Sequence, residues 1–188
     1  MRRFLLFSAV SVLAVILAAP VVADRESPTP LPFYGSLSGQ LLAFDMDPGA
    51  IANRCSATPA NKVAIWVASF EGWGEVTHLG RTYFYADHCS YGTPGSPPVP
   101  DGTYGQGELT LIAANGDVLK ALYNDGIAYP LTPPAVGYED TIAFVDGGTG
   151  RFSIASGQAY EVGSVNLPPF GDGALTAEMH GTISYSRK

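Results

Sequence analysis

Short apolar segments rich in Val, Ile, Thr, Tyr and Phe recur along the chain, separated by turn signals containing Gly, Pro, Asn and Asp. The last segment alternates most clearly, with one apolar face formed by Leu175, Ala177, Met179, Ile183 and Tyr185. This period of two is typical of a strand with one buried face. Long amphipathic helical patterns are absent from the sequence. The pattern therefore predicts an all-β sandwich or barrel.

We predict about eight strands, with residues 75–90 forming either one bent strand or two. The predicted strands lie near 34–44, 62–72, 75–79, 81–90, 106–114, 117–124, 138–145 and 174–186, with a further candidate at 158–166. Two long surface loops are expected, at 46–61 and at the proline-rich segment 91–104. The dipeptide Asn115-Gly116 predicts a type I′ hairpin turn.

The predicted strand 62–72 is apolar on both faces, with Val67 on one face and Phe70 on the other. Burial on both sides is therefore expected, either in the wall of a filled barrel or at a subunit contact. After the predicted strand 34–44, the segment from Asp45 to Gly49 resembles the beginning of a calcium loop. Because the later loop positions do not fit that pattern, a turn is the better interpretation.

Residues 1–23 have the pattern of a secretory signal. Arg2 and Arg3 precede an uncharged apolar run, and a small residue, Ala23, ends the segment. An uncleaved membrane anchor is the alternative. Residues 24–32 form a Pro-rich leader that is expected to be flexible, and 33–188 are expected to form the β-barrel domain. These features predict an exported protein, either periplasmic or extracellular.

The chain contains two cysteines, Cys55 and Cys89, so one intramolecular pairing is possible. Export to an oxidising compartment favours a structural disulfide between them. A reactive or metal-binding thiol is the alternative. The neighbouring His88 is expected at the surface.

The composition excludes several classes of partner. With 188 residues, 46% hydrophobic and 14% charged, the chain can form one domain with a substantial core. A formal net charge of −7 argues against nucleic-acid binding, which needs a basic surface. Removal of the signal takes away Arg2 and Arg3 and makes the chain more negative, which argues against association with anionic membranes.

Polar residues that could carry chemistry are sparse. Glu75, His78 and Arg151 are candidate catalytic groups, because they could transfer protons or bind a carboxylate. In the alternative interpretation, His78 caps a turn and Arg151 pairs with an acid. Glu75 and His78 have opposite strand parity, so their spacing does not predict a metal site. No metal and no cofactor are expected.

Tyrosines are numerous, and inward-facing ones could line a pocket and present hydroxyl groups to a ligand. Tyr83, Tyr85 and Tyr123 are predicted as ligand-binding residues on this basis. Tyrosines could equally fill the core of the domain.

Three segments resemble a known group of proteins. Residues 74–81 (GEVTHLGR), 147–157 (GGTGRFSIASG) and 180–185 (HGTISY) resemble exported bacterial proteins of the allene oxide cyclase barrel-like group. The second segment is also similar to the glycine motif of plant dirigent proteins. The resemblance implies a single antiparallel eight-stranded up-and-down β-barrel with a central cavity. It also implies a homo-oligomer, since members of both families commonly form trimers.

The resemblance suggests activities but assigns no catalytic residue. Allene oxide cyclases cyclise a fatty-acid epoxide, and dirigent proteins steer phenoxy-radical coupling. The leading hypothesis is an exported barrel that binds a small apolar or aromatic ligand without turnover. The alternatives are an isomerase or cyclase acting in the same cavity, and a structural or interaction protein with a filled barrel. A homodimer or homotrimer is possible in each case.

Overall fold

The computed structural model describes residues 29–95 and 97–186. The predicted signal 1–23 and residues 24–28 of the predicted leader lie outside the described residues. Residues 31 and 32 of that leader already belong to the first strand.

Within the described residues, eight antiparallel strands form a closed up-and-down barrel, which confirms the predicted fold. Each strand pairs with the next along the chain, and the last pairs with the first. The strands are β1 (Leu31–Asp45), β2 (Val63–Val76), β3 (Gly80–Thr93), β4 (Val99–Ala113), β5 (Val118–Pro130), β6 (Ala135–Val145), β7 (Ser156–Asn166) and β8 (Ala174–Ser184). A short helix, α1 (Pro48–Arg54), follows β1, and a 3-10 turn spans Gly150–Phe152.

Several predicted boundaries are corrected. The segment 75–79 is not a strand of its own, because β2 continues to Val76 and the chain turns immediately after it. The further candidate at 158–166 is β7. The predicted loop 91–104 is mostly strand, since β3 and β4 extend well into it. The predicted loop 46–61 contains α1.

The Asn115-Gly116 hairpin joins β4 to β5, but its turn differs from the predicted one. A type I′ turn needs a positive φ at both central residues. Here Gly116 has a φ of 84° and Asn115 is not in the left-handed region. The Gly116 N–H donates to the carbonyl of Ala113, so Ala114 and Asn115 are the central residues of the turn. Gly116 is the left-handed third residue of a three-residue hairpin loop, Ala114 to Gly116, which the Ala113 N–H closes by donating to the Asp117 carbonyl.

One end of the barrel, here called the closed end, is filled with side chains. The connections 77–79, 114–117 and 146–155 lie at this end, together with the start of β1 and the end of β8. Phe33 packs on Phe144 with ring centroids 4.6 Å apart, and Phe152 packs on Tyr185 at 5.0 Å. Phe33, Phe152 and Ile183 are completely buried. The chain is tightly packed here, as in an ordinary hydrophobic core.

The opposite end, here called the open end, is stabilised from outside by α1. Asp47 is the N-cap of this helix, and its Oδ1 accepts a hydrogen bond of 2.9 Å from the Ala50 N–H. Proline follows it at the first helical position, where the missing N–H costs nothing. The segment predicted as a turn is therefore a helix start.

Cys55 and Cys89 form a disulfide, which confirms the predicted pairing. With Val67 and Tyr91 they make a second buried cluster, against which Ile51 of α1 packs. This cluster is separate from the core inside the barrel. The outer face of β2 around Val67 is thus covered by the chain's own helix, which accounts for apolar residues on both faces of this part of the strand.

Candidate functional site

The open end of the barrel leads into a hollow interior. A chamber of about 260 Å³, here called the outer chamber, lies at this end. Its wall is mainly apolar and aromatic, and includes Phe44, Trp66, Ala128, Tyr129 and Val136. Concave, mostly apolar sites of this kind are typical of small-molecule pockets.

A smaller and more polar space, here called the deep chamber, adjoins the outer chamber. Its volume is about 40 Å³. Phe70, His88 and Tyr138 line both chambers, so the two spaces meet at these residues. Asp140 and Glu161 line the deep chamber only. Two carboxyl groups thus stand at the inner end of an otherwise apolar cavity.

Strand register brings these two carboxyl groups together. In β6 the inward positions include Asp140, Ile142 and Phe144, so Asp140 lies on the buried face of the strand with apolar neighbours. Asp140 lies directly opposite Glu161 of β7 in the antiparallel ladder. Side chains at such opposed positions have Cβ atoms about 4.5–5.5 Å apart. The two carboxyl groups therefore interact as a pair.

Asp140 is held by one hydrogen bond. Its Oδ2 accepts from the Tyr104 hydroxyl at 2.7 Å, while its Oδ1 has no hydrogen-bond partner among the described residues. The side chain is 7% exposed. Burial raises the pKa of Asp140 to about 6, because the charged form loses hydration, and the hydrogen bond from Tyr104 opposes that rise.

Glu161 holds its proton more strongly than Asp140. Burial and the negative charge of Asp140 together raise the pKa of Glu161 to about 8. The hydroxyl of Tyr138 lies 3.4 Å from Glu161 Oε1, which opposes this rise, and 3.1 Å from the carbonyl oxygen of Thr176. At neutral pH the pair therefore carries one proton and one negative charge.

His88 faces into the barrel, and the expectation of a surface position is corrected. The inward alternation of β3 runs through Phe84 and Ala86 to His88, and the neighbouring Cys89 faces outward to its disulfide partner. The imidazole stacks on Tyr104 with ring centroids 4.4 Å apart, and its Nδ1 lies 3.2 Å from the Tyr123 hydroxyl. Burial, and then the positive charge of Arg54, lower the pKa of His88 to about 3. The ring is therefore neutral at physiological pH.

Three tyrosine hydroxyls surround the carboxyl pair. The Tyr104 hydroxyl donates to Asp140, and the Tyr138 hydroxyl lies beside Glu161. The Tyr123 hydroxyl donates to the carbonyl of Asp87 over 3.1 Å. Burial raises the pKa of all three phenols above the ordinary value. They remain neutral and can act as hydrogen-bond donors in the interior.

Of the three predicted ligand-binding tyrosines, the structure places Tyr123 in the wall of the deep chamber. Tyr83 and Tyr85 lie on the outer surface instead, because Thr82 and Phe84 take the inward positions of that part of β3. The Tyr83 hydroxyl donates to Glu71, and its ring packs beside Trp73 at 5.2 Å. Neither residue contributes to the interior cavity.

The predicted catalytic candidates lie away from both chambers. Glu75 is exposed on the outer face of β2. His78 sits in the β2–β3 turn at a φ of 67°, with its Nε2 2.8 Å from the Pro32 carbonyl oxygen. Arg151 donates to the His78 carbonyl and forms an ion pair of 3.5 Å with Asp117. His78 and Arg151 thus stabilise turns at the closed end of the barrel.

Sequence reasoning missed Asp140 and Glu161, although a signal was present. Each is an acid at an inward position of its strand, aligned with apolar neighbours such as Ile142 in β6 and Ala159 in β7. An acid at such a position is rarely buried without a specific role or partner. Strand register, which the sequence does not state, was needed to show that the two meet.

Residues 29–95 and 97–186 contain no cluster of three or more His, Cys, Asp or Glu side chains arranged to hold a metal ion. No helix in these ranges is long and apolar enough to cross a membrane. Comparisons with protein-family models, curated proteins and solved structures found no match for this chain.

Proposed function

We propose that this protein binds a small apolar or aromatic molecule in the barrel interior. The observation that carries the proposal is the outer chamber of about 260 Å³, which is apolar at its wall and leads to a buried carboxyl pair. Apolar walls favour a ligand with a hydrophobic body. The few polar groups at the inner end would orient it, since Asp140 and the tyrosines offer fixed hydrogen-bonding partners.

The proposed setting is outside the cytoplasm. The signal-like segment 1–23 and the disulfide between Cys55 and Cys89 both support export. A binding protein in the periplasm or the external medium would meet small molecules directly.

The test fills the outer chamber without changing the barrel. Ala128→Trp places a large ring in that chamber, whereas Leu122→Trp places one on the exposed outer face of the same strand. Co-purified small molecules are extracted from the protein and its two variants and identified by mass spectrometry. Retention of a compound by the parent protein and Leu122→Trp, with loss in Ala128→Trp, would support the proposal. Equal retention by all three would contradict it.

A second candidate function is proton transfer in the cavity, as in an isomerase or cyclase. The observation that favours it is the position of Asp140 directly opposite Glu161 in the wall of the deep chamber, where the pKa values of the two carboxyl groups are raised to about 6 and about 8. Between these values one carboxyl group can accept a proton while its neighbour can donate one. Tyr104 would orient the accepting carboxylate through its hydrogen bond.

The same extraction distinguishes the two candidates. The recovered compound is incubated with the protein and with Asp140→Asn, and its isomeric composition is followed by chromatography. An unchanged compound supports binding without turnover. Conversion that disappears in Asp140→Asn supports proton transfer, and conversion that persists in this variant would contradict the assigned role of Asp140.

A further inference from the structure

We propose that the ligand of this cavity is an organic cation, a small apolar or aromatic amine whose ammonium group enters the deep chamber and contacts Asp140. The proposal rests on the proposed binding function and adds the charge of the ligand to it.

The first support is the charge of the cavity wall. Asp140 and Glu161 line the deep chamber, and the residues that line the two chambers include no lysine or arginine. The guanidinium of Arg54, whose charge acts on His88, lies on α1 outside the barrel and is bound to Asp87. A buried negative charge without a nearby cation is costly. A cationic ligand would offset that cost.

The second support is the hydrogen bonding of Asp140. This carboxylate is more than nine-tenths buried, and one of its oxygens, Oδ1, has no hydrogen-bond partner among the described residues. Its other oxygen is occupied by Tyr104. An ammonium group offers three donors and no acceptor, so it matches a carboxylate whose hydrogen-bonding capacity is only partly used.

The third support is the size and lining of the two chambers. The deep chamber, at about 40 Å³, has room for a head group and little more, whereas the outer chamber of about 260 Å³ could hold an apolar body. A single water needs about 10–15 Å³ on the same measure. Phe70, Tyr123 and Tyr138 line the deep chamber. Aromatic rings of this kind attract a cation in a desolvated site.

The groups that face Asp140 determine how binding would change with pH. These are His88 on β3, Tyr104 on β4, Tyr123 on β5, Tyr138 on β6 and Glu161 on β7. His88 and the tyrosines are neutral around pH 7, so Glu161 is the group that still holds a removable proton there. A bound ammonium would favour the charged form of Glu161. Binding of an amine near pH 7 should therefore release part of a proton, and a neutral ligand should not.

The experiment compares three probes that share one skeleton: 2-phenylethylamine, 2-phenylethanol and phenylacetate. Isothermal titration calorimetry at pH 7 in two buffers of different ionisation enthalpy gives both affinity and proton release. The same three titrations are repeated with probes in which a cyclohexyl ring replaces the phenyl ring. We expect the amine to bind at least about tenfold more tightly than the alcohol. The carboxylate should bind most weakly, and only the amine should release protons.

Asp140→Asn keeps the shape of the side chain and removes its charge. This variant should lose the preference for the amine while still binding the alcohol, and near-ultraviolet circular dichroism checks that its interior is intact. Glu139→Gln is the matched control, because it removes a charge from the neighbouring outward position of β6. It should keep the preference for the amine.

The outcomes separate this inference from the proposed function. Equal binding of amine and alcohol by the parent protein would overturn the cation inference and leave the binding function standing. An amine preference that persists in Asp140→Asn would also overturn it. If no probe in either series binds and Ala128→Trp retains the same co-purified compounds as the parent protein, both proposals fail.

Discussion

The two ends of this barrel use the same alternating strands for different purposes. At the closed end the inward Phe33, Phe144 and Ile183 of the strands, with Phe152 of the 3-10 turn, form a packed and buried core. Toward the open end the inward positions hold tyrosines, a histidine and two acids around a cavity. A hollow interior forgoes packing contacts, so the closed end should contribute most of the stability of the barrel and the open end its binding capacity.

The largest effect should come from emptying the closed end. Phe152→Ala removes a fully buried ring, so the free energy of unfolding should fall by about 3–5 kcal/mol. Val136→Ala, in the wall of the outer chamber, should lower it by about 1 kcal/mol or less, because that side chain already borders empty space. Urea unfolding measures both, and Phe152→Leu keeps the comparison measurable if Phe152→Ala does not fold. An equal decrease in unfolding free energy for Phe152→Ala and Val136→Ala would contradict the expectation that the closed end contributes most of the stability.

A smaller loss of stability should follow from removing the disulfide that joins the chain after α1 to β3 at the open end. The double variant Cys55→Ala/Cys89→Ala releases a disulfide that spans a sequence separation of 34 residues. Disulfides of this kind typically contribute about 2–4 kcal/mol, chiefly by restricting the unfolded chain. Thermal unfolding should show this loss while binding of the probe amine persists. Loss of binding without loss of stability would show that the disulfide shapes the cavity instead.

The smallest effect should come from pH. Glu161 has a folded-state pKa of about 8, above its unfolded value, so its protonated form favours folding and this contribution is lost as pH rises. Below about pH 6.5 the uncharged, buried His88 acts in the opposite direction, since acid then favours the unfolded state. Between pH 6.5 and 8 the unfolding free energy should therefore fall by about 1–2 kcal/mol.

Glu161→Gln isolates that effect. The glutamine cannot ionise, so the free energy of unfolding should be nearly constant across the same interval. Glu178→Gln, on the exposed outer face of β8, should leave the slope of the parent protein unchanged. A slope that survives in Glu161→Gln would assign the pH dependence to a different group.

The pattern of the sequence predicted the barrel walls better than their contents. Alternation in β8 identified its buried face correctly, and two cysteines allowed only one pairing. The segment 158–166, a further candidate, is β7, whereas the separate strand at 75–79 and the turn type at Asn115-Gly116 were wrong, because hairpin geometry depends on which strands pair and in what register. For the same reason Tyr83 and Tyr85 were grouped with Tyr123, although their positions in β3 direct them outward.

The carboxyl pair was harder to predict than the fold. The predicted candidates Glu75, His78 and Arg151 were chosen because their side chains could transfer protons or bind a carboxylate. The interior groups are instead far apart in sequence: Asp140 meets Glu161 through the register of β6 and β7, and His88 of β3 lines the same deep chamber. Inward acids in apolar strands are the sequence feature that could have identified them.

Closure of the barrel also determines how this protein can associate with copies of itself. β1 pairs with β2 along one edge and with β8 along the other, so the ring of strands has no unpaired edge within the described residues. Association by adding a strand from another chain needs such an edge. A dimer or trimer would therefore have to form through outer side chains such as the exposed Tyr34 and Trp73, and its specificity would depend on surface shape rather than on backbone pairing.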